Sequence, residues 1–193
     1  MPPAFDGMLR DRLAAYVRAR RPSLVAGYAP VDGEPGGPGL PDVLAGIAPL
    51  LLPVIAPGRT LDWARYTGEL APGPYGLAQP TGPRLGPSAL AEVDLVVAPA
   101  LAVDRRGVRL GRGGGYYDRA LSLVRPAVPV VVPLYPGELV AEVPAEPHDR
   151  RVHVVVTPAT VLVLDESRSD AALLALEDPE CQTECQSECQ DGG

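Results

Sequence analysis

The chain predicts an α/β fold built on a mainly parallel sheet, and three observations carry that expectation. Short Val/Leu-rich runs recur along the sequence, and several are continuous rather than alternating, the pattern of strands buried on both faces. Stretches with helical apolar spacing lie between them, which fits βαβ units. An apolar fraction of 46% over 193 residues supplies one domain with a sizeable core.

The elements follow in order. Met8 to Arg20 sets Met8, Leu9, Leu13, Tyr16 and Val17 at the spacing of a helix with one buried face, and Pro22 stops it. Strands are expected at Leu24 to Ala29, Leu51 to Ile55, Leu61 to Tyr66, Val93 to Ala98, Val128 to Leu134 and Val152 to Thr157. Helical stretches are expected at Leu40 to Leu50 and Tyr116 to Val124. Residues 71–87, with Ala-Pro-Gly-Pro-Tyr-Gly and Thr-Gly-Pro-Arg-Leu-Gly-Pro, read as a long irregular connection, a kind of loop that is often functional in a compact domain.

Residues 1–164 are read as this one domain and residues 165–193 as an acidic, disordered tail. The tail holds nine acidic residues and one Arg, so the formal charge of -7 belongs to it and the domain is left near neutrality. No basic surface argues for nucleic acid. Cys181, Cys185 and Cys189 repeat every four residues and would share one helix face, but three thiols are one ligand short of a closed structural zinc site, and a solvated tail is preferred. All cysteines sit there, which agrees with a reducing compartment. The longest apolar runs fall short of the ~20 residues of a membrane span, and no leader pattern is visible, so a cytoplasmic protein is expected.

The densest chemistry lies in Arg109-Leu110-Gly111-Arg112-Gly113-Gly114-Gly115-Tyr116-Tyr117-Asp118-Arg119. Glycines let backbone N–H groups approach an anion, arginines add fixed charge, and the apolar stretch Val93 to Val103 leads in as a strand. The bland alternative is a surface hairpin whose arginines merely solvate it. Three consecutive glycines cost roughly 0.5–1 kcal/mol each relative to Ala when ordered, which favours a backbone that must come close to a phosphate.

This segment, with Asp94 to Asp104 and Gly107 before it, closely resembles the signature of the 5-formyltetrahydrofolate cyclo-ligase family: an apolar strand ending in Pro, an Asp, a short turn, then Arg-Leu-Gly-x-Gly-x-Gly-Tyr-Tyr-Asp. Weaker similarities fall in the family's order, at Tyr28-Ala29-Pro30 with Glu34, at Gln79-Pro80, and at Val143 to Asp149 with Thr157. Together they span roughly residues 24–164.

The resemblance implies a three-layer α/β/α Rossmann-like sandwich with its site at the carboxyl ends of the strands. It implies an ATP- and Mg-dependent ligase of folate one-carbon metabolism. In the implied reaction the formyl oxygen of 5-formyltetrahydrofolate attacks the γ-phosphoryl group, and N10 then closes on the iminium phosphate to give 5,10-methenyltetrahydrofolate, ADP and phosphate. The small-molecule partners are a reduced folate and ATP, with a monomer expected and neither nucleic acid nor membrane.

Residue by residue, the resemblance assigns Arg109 and Arg112 to charge neutralisation in catalysis, and Arg109 to Tyr117 to the nucleotide. It gives Glu34 to the pterin, where a carboxylate suits the N–H face of a pyrimidinone ring, with Ala29, Tyr75 and Tyr116 adding contact area. Asp118 and Asp149 would ligate Mg, since that ion takes one or two carboxylates plus phosphate oxygens and water. Each carboxylate has a plainer reading: Asp118 as a helix N-terminal charge, Asp149 as a turn former, Glu34 as one polar residue of the loop Asp32 to Gly39.

Two departures stand out. After Glu34 the family continues with Val or Ile and then Thr, whereas Pro35-Gly36-Gly37 follow here. The family's first basic helix is not matched, and Arg10 or Arg12 is the expected substitute for its cations. These departures motivate the alternative reading, a non-catalytic folate- or nucleotide-binding relative. A sugar-phosphate isomerase on a related fold would explain an anion loop but not the Tyr-Tyr-Asp extension. Trp63 and Tyr66 stand where the family has Phe and then Trp. His148 is given no catalytic role, and His153, where an Asp is common, is expected on a strand or the surface.

Overall fold

The computed structural model describes residues 3–31, 33–145 and 150–164. Helix α1 (Pro3–Arg20) leads into β1 (Val25–Ala26), the short helix α2 (Leu40–Ala45), β2 (Leu50–Ala56) and β3 (Thr60–Arg65). The chain continues through β4 (Leu70–Pro72), β5 (Ala78–Pro80), β6 (Leu95–Val97), β7 (Ala102–Asp104), β8 (Arg109–Leu110) and helix α3 (Tyr116–Leu121). It closes with β9 (Val130–Pro133), β10 (Leu139–Val140), β11 (Val154–Val156) and β12 (Val161–Val163). The seven-stranded main sheet has the order β12-β11-β9-β6-β1-β2-β3. The run from β11 to β2 is parallel, and both edges, β12 and β3, are antiparallel.

The period of two explains the layers. Val25, Leu50, Leu52, Leu95, Val97, Val131, Val154 and Val156 face one apolar cluster with Leu9, Leu13, Val17, Leu40 and Leu44 of α1 and α2. Ala26, Leu51, Val96, Val130, Val132 and Val155 face the other, with Leu90, Ala120, Leu121 and Val124. Both faces must be apolar because both are covered, which is why the strands read as continuous Val/Leu runs. The α/β/α sandwich expected from the sequence is the fold found.

Several elements differ from the sequence reading. The lead-in Val93 to Val103 is two strands: the parallel ladder reaches the Ala98 N–H, bonded to the Val131 carbonyl, and stops at Pro99, which has no N–H to continue it. Beyond it, β7 joins β8 and β10 in a separate three-stranded sheet. Helix α3 ends at Leu121, short of Val124, and α2 ends at Ala45, with Gly46 after it and Leu50 already paired to Val25. Residues 71–87 are not wholly irregular, since β4 and β5 form a hairpin. Trp63 is fully buried, and the Tyr66 hydroxyl donates to Asp42 Oδ1 at 2.7 Å, tying β3 to α2. His153 sits just before β11, its Nδ1 accepting the Val130 N–H at 2.9 Å. The tail with Cys181, Cys185 and Cys189 lies outside the described residues.

Asp104 closes the β7–β8 hairpin. Its fully buried carboxylate accepts the backbone N–H groups of Arg106, Val108 and Val143 at 2.9, 3.0 and 3.1 Å, and the Arg106 guanidinium at 2.8 and 3.0 Å. Burial opposes the charge, but Arg106 and the three amides outweigh it, and the carboxyl is held below its ordinary 3.8. A depressed folded value stabilises the native state above the unfolded value and loses that contribution as pH falls through the folded one. Asp104→Asn is therefore expected to lose about 1–3 kcal/mol at neutral pH, because an amide N–H₂ would face buried donors. Urea unfolding of both proteins from about pH 7 to about pH 3 checks this, the two curves converging at the acid end.

Candidate active site

Seen from the strand ends, β1 is the point where the chain order reverses: β2 and β3 lie on one side of it, and β6 and all later main-sheet strands on the other. The crevice between β1 and β6 is the usual ligand position in such a sheet. Three segments meet there: the loop after β1 carrying Ala29 and Glu34, the signature after β6, and Tyr135 and Glu138 after β9.

The signature loop is held from beneath. Arg109 is buried, its Nη2 donating to Asp118 Oδ1 at 2.5 Å and its Nη1 to the Pro99 carbonyl at 3.4 Å. Its Cζ lies 5.8 Å from the centre of the Tyr117 ring, and its Nε has no partner among the described residues. Gly111 packs on that guanidinium, Gly114 on the Tyr116 ring, and Leu110 is exposed. Gly113 and Gly115 have φ of 79° and 63°, the left-handed turn that brings the chain into α3. Helix α3 has six residues, so its dipole is small and the loop's charge comes from side chains.

Arg119, which sequence reasoning passed over, pins this loop. Its Nε and Nη2 donate to the Arg59 carbonyl at 3.0 and 2.6 Å, its Nη2 donates to the Gly114 carbonyl at 2.9 Å, and its Cζ lies 5.7 Å from the centre of the Tyr116 ring. The Arg59 carbonyl is sixty residues away, at the β2–β3 turn, and no local pattern announces it.

The structure brings Glu34 and Arg112 together. Arg112 Nη2 lies 3.0 Å from Glu34 Oε1, and the Arg112 side chain is 58% exposed against 14% for Glu34. Glu34 Oε2 accepts the Val31 N–H at 3.0 Å. Burial, then the charge of Glu34, pushes the Tyr28 and Tyr117 phenols up, so both remain protonated donors at neutral pH. The Tyr28 hydroxyl donates to the Pro35 carbonyl at 2.6 Å, whereas the buried Tyr117 hydroxyl has no partner among the described residues. Ala29 packs against the α1–α2 cluster, and Tyr75 stands 83% exposed at the β4–β5 turn.

Arg10 and Arg12 are already engaged. Arg10 Nη1 donates to the Gly36 carbonyl at 2.8 Å and Arg12 Nε to the Pro158 carbonyl at 3.3 Å. Asp149 and His148 lie outside the described residues. Among the described residues no three His, Cys, Asp or Glu side chains converge as a metal cage. Asp118, partly exposed with one oxygen on Arg109, fits an ion that takes one or two carboxylates and completes its shell from phosphate and water.

Residues 5–158 match the 5-formyltetrahydrofolate cyclo-ligase family. The chain is 40% identical to the 5-formyltetrahydrofolate cyclo-ligase of Mycolicibacterium smegmatis over 146 residues, 72% of this chain and 75% of that one. Its structure is similar to the NMR structure of Aquifex aeolicus 5,10-methenyltetrahydrofolate synthetase, with a TM-score of 0.67 and 29% identity over 84% of each chain. It shares the fold of a 5,10-methenyltetrahydrofolate synthetase from Mycoplasma pneumoniae, with a TM-score of 0.62 and 17% identity over 80% of this chain and 85% of that one.

Gly115→Ala tests the loop. A Cβ there would lie 2.9 Å from Arg119 Nη1 on a left-handed backbone. The substitution is expected to cost about 1–2 kcal/mol of stability in chemical denaturation. It should also weaken nucleotide affinity, measured by calorimetry, because Arg119 must leave the Gly114 carbonyl.

Proposed function

This chain belongs to the 5-formyltetrahydrofolate cyclo-ligase family and converts 5-formyltetrahydrofolate to 5,10-methenyltetrahydrofolate with ATP as co-substrate; we propose that the crevice between β1 and β6 is where it does so. The observation that carries this assignment is the 3.0 Å approach of Arg112 to Glu34. It places a carboxylate suited to a pterin and a cation suited to a γ-phosphate in one crevice, where both substrates can be held together.

On this reading Glu34 accepts paired N–H groups of the pterin ring, and the unpartnered Tyr117 hydroxyl beside it donates to the folate. Arg112 and the amides of Gly113 to Gly115 take the triphosphate. The formyl oxygen bonds to the γ-phosphorus as the bond to the ADP oxygen breaks. N10 then adds to the activated carbon, loses its proton to solvent, and phosphate leaves with the formyl oxygen. No side chain acts as nucleophile, and the work of the protein is positioning and charge neutralisation. A bound magnesium ion, held by Asp118 with Asp149 as a second candidate, would neutralise phosphate charge. Arg109 acts from below, fixing Asp118 rather than reaching into solvent.

The ligands are small molecules, and among the described residues no helix is long and apolar enough to cross a membrane. We place the enzyme in the cytoplasm as a monomer, a reducing compartment suiting a chain whose cysteines all fall in residues 165–193.

Incubation with 5-formyltetrahydrofolate and MgATP, followed by methenyl absorbance, tests the activity. Product that needs both substrates is the expected result, and binding of both without product would favour the non-catalytic relative. Arg112→Ala is expected to lower kcat/KM by about 2–4 kcal/mol of barrier, and unchanged kinetics would remove Arg112 from the site. Asp118→Asn should raise the magnesium concentration for half-maximal activity, and a titration that overlays wild type would move the metal to Asp149.

A further inference from the structure

The loop that carries Glu34 continues as Pro35-Gly36-Gly37, and the structure shows what those residues admit. Four side chains from three elements bind its backbone. The Gly36 N–H donates to Asp6 Oδ1 at 3.2 Å, and the Gly36 carbonyl accepts Arg10 Nη1 at 2.8 Å, both from α1. The Tyr135 hydroxyl, after β9, donates to Asp6 Oδ1 at 2.5 Å, with the Glu34 carbonyl 3.2 Å away. Tyr28, after β1, takes the Pro35 carbonyl. Tyr135 is itself fixed, its backbone N–H donating to Glu138 Oε2 at 2.7 Å.

The glycines are what let α1 come this close. Gly37 has φ of 59°, and a Cβ on it would lie 2.6 Å from Asp6 Oδ2. With no side chains at positions 36 and 37, the helix grips the backbone of the loop. Residues 35–37 are buried in consequence. Arg10, expected to reach phosphate, is spent on this grip.

We propose that Asp6, Arg10 and Tyr135 are positioning residues for folate binding, a clamp from α1 and β9 that holds the Glu34 carboxylate where the pterin meets it. This rests on the reading of Glu34 as the pterin ligand. The bonds of these three side chains to the crevice all fall on the backbone of the Glu34 loop and none on the Arg109 to Tyr117 segment, so their loss should separate the two substrates. In Tyr135→Phe and Asp6→Ala the KM for 5-formyltetrahydrofolate is expected to rise about tenfold, the worth of one buried hydrogen bond to a charged group. The KM for MgATP should stay within about twofold of wild type. Asp6→Asn, which keeps an acceptor for the Gly36 N–H and the Tyr135 hydroxyl, should recover most of the loss, and the exposed Asp11→Ala on the same helix should change neither KM. Combined with Glu34→Ala, Tyr135→Phe should add nothing further to the loss of folate affinity, measured by calorimetry.

A parallel rise in both KM values, or additive losses in the double variant, would mean that the cluster only stabilises the fold and would overturn the proposal. Tyr135→Phe keeps the ring volume and so remains informative if Asp6→Ala does not fold. An effect of Glu34→Ala on folate affinity with silent clamp variants sinks the clamp alone. No effect of Glu34→Ala removes the pterin assignment and the clamp with it.

Discussion

The parallel register of β6, β1 and β2 is the constraint on which the site depends. Val25 pairs with both Leu50 and Leu95, and Ala26 with Leu51 and Val96, so the strands run level and their loops leave the sheet side by side. Because the chain order reverses at β1, the loops after β1 and β6 diverge and leave a crevice between them. Glu34 and Arg112, 78 positions apart in sequence, are neighbours for that reason. Pro99 completes the arrangement by ending the β6 ladder, which frees the chain to form the β7–β8 hairpin whose second strand begins with Arg109.

The electrostatics of the crevice sort its arginines by what they already hold. Arg109 is buried on Asp118, Arg119 is spent on two carbonyls, and Arg10 and Arg12 are each on one. Arg112 differs, since its side chain is largely in solvent while it pairs with the Glu34 carboxylate. An ion pair exposed on one side is worth about 0–1 kcal/mol, so the Arg112–Glu34 contact opens at little cost. The Arg109–Asp118 pair, buried on the arginine side, would cost more to break. The site therefore keeps one readily transferable cation above a rigid floor, which suits chemistry that proceeds by positioning.

The amino-terminal helix joins this scheme in a way its basic residues disguised. Taken as charges, Arg10 and Arg12 suggested phosphate ligands; as placed, they are hydrogen-bond donors to backbone carbonyls, and α1 meets the Glu34 loop through Asp6 and Arg10.

The order of residues along the chain determined the layered α/β architecture, because strands covered on both faces must be apolar at every position, and that requirement is local and readable. The signature loop was legible for a similar reason: glycines at Gly113 and Gly115 and charges at Arg109 and Arg112 are needed within a few residues of each other. Strand ends were less so, as at Pro99, where a missing N–H matters only once its ladder partner is known, and at α2 and α3, which packing cut to six residues each. What only the tertiary structure decided is which polar groups meet. The Arg112–Glu34 pair, the hold of Arg119 on the Arg59 carbonyl, and the grip of Asp6, Arg10 and Tyr135 on Pro35-Gly36-Gly37 join residues from separate elements. A hydrogen bond depends on ångström-scale approach and direction, which no spacing in sequence encodes until the sheet has set its strands in order.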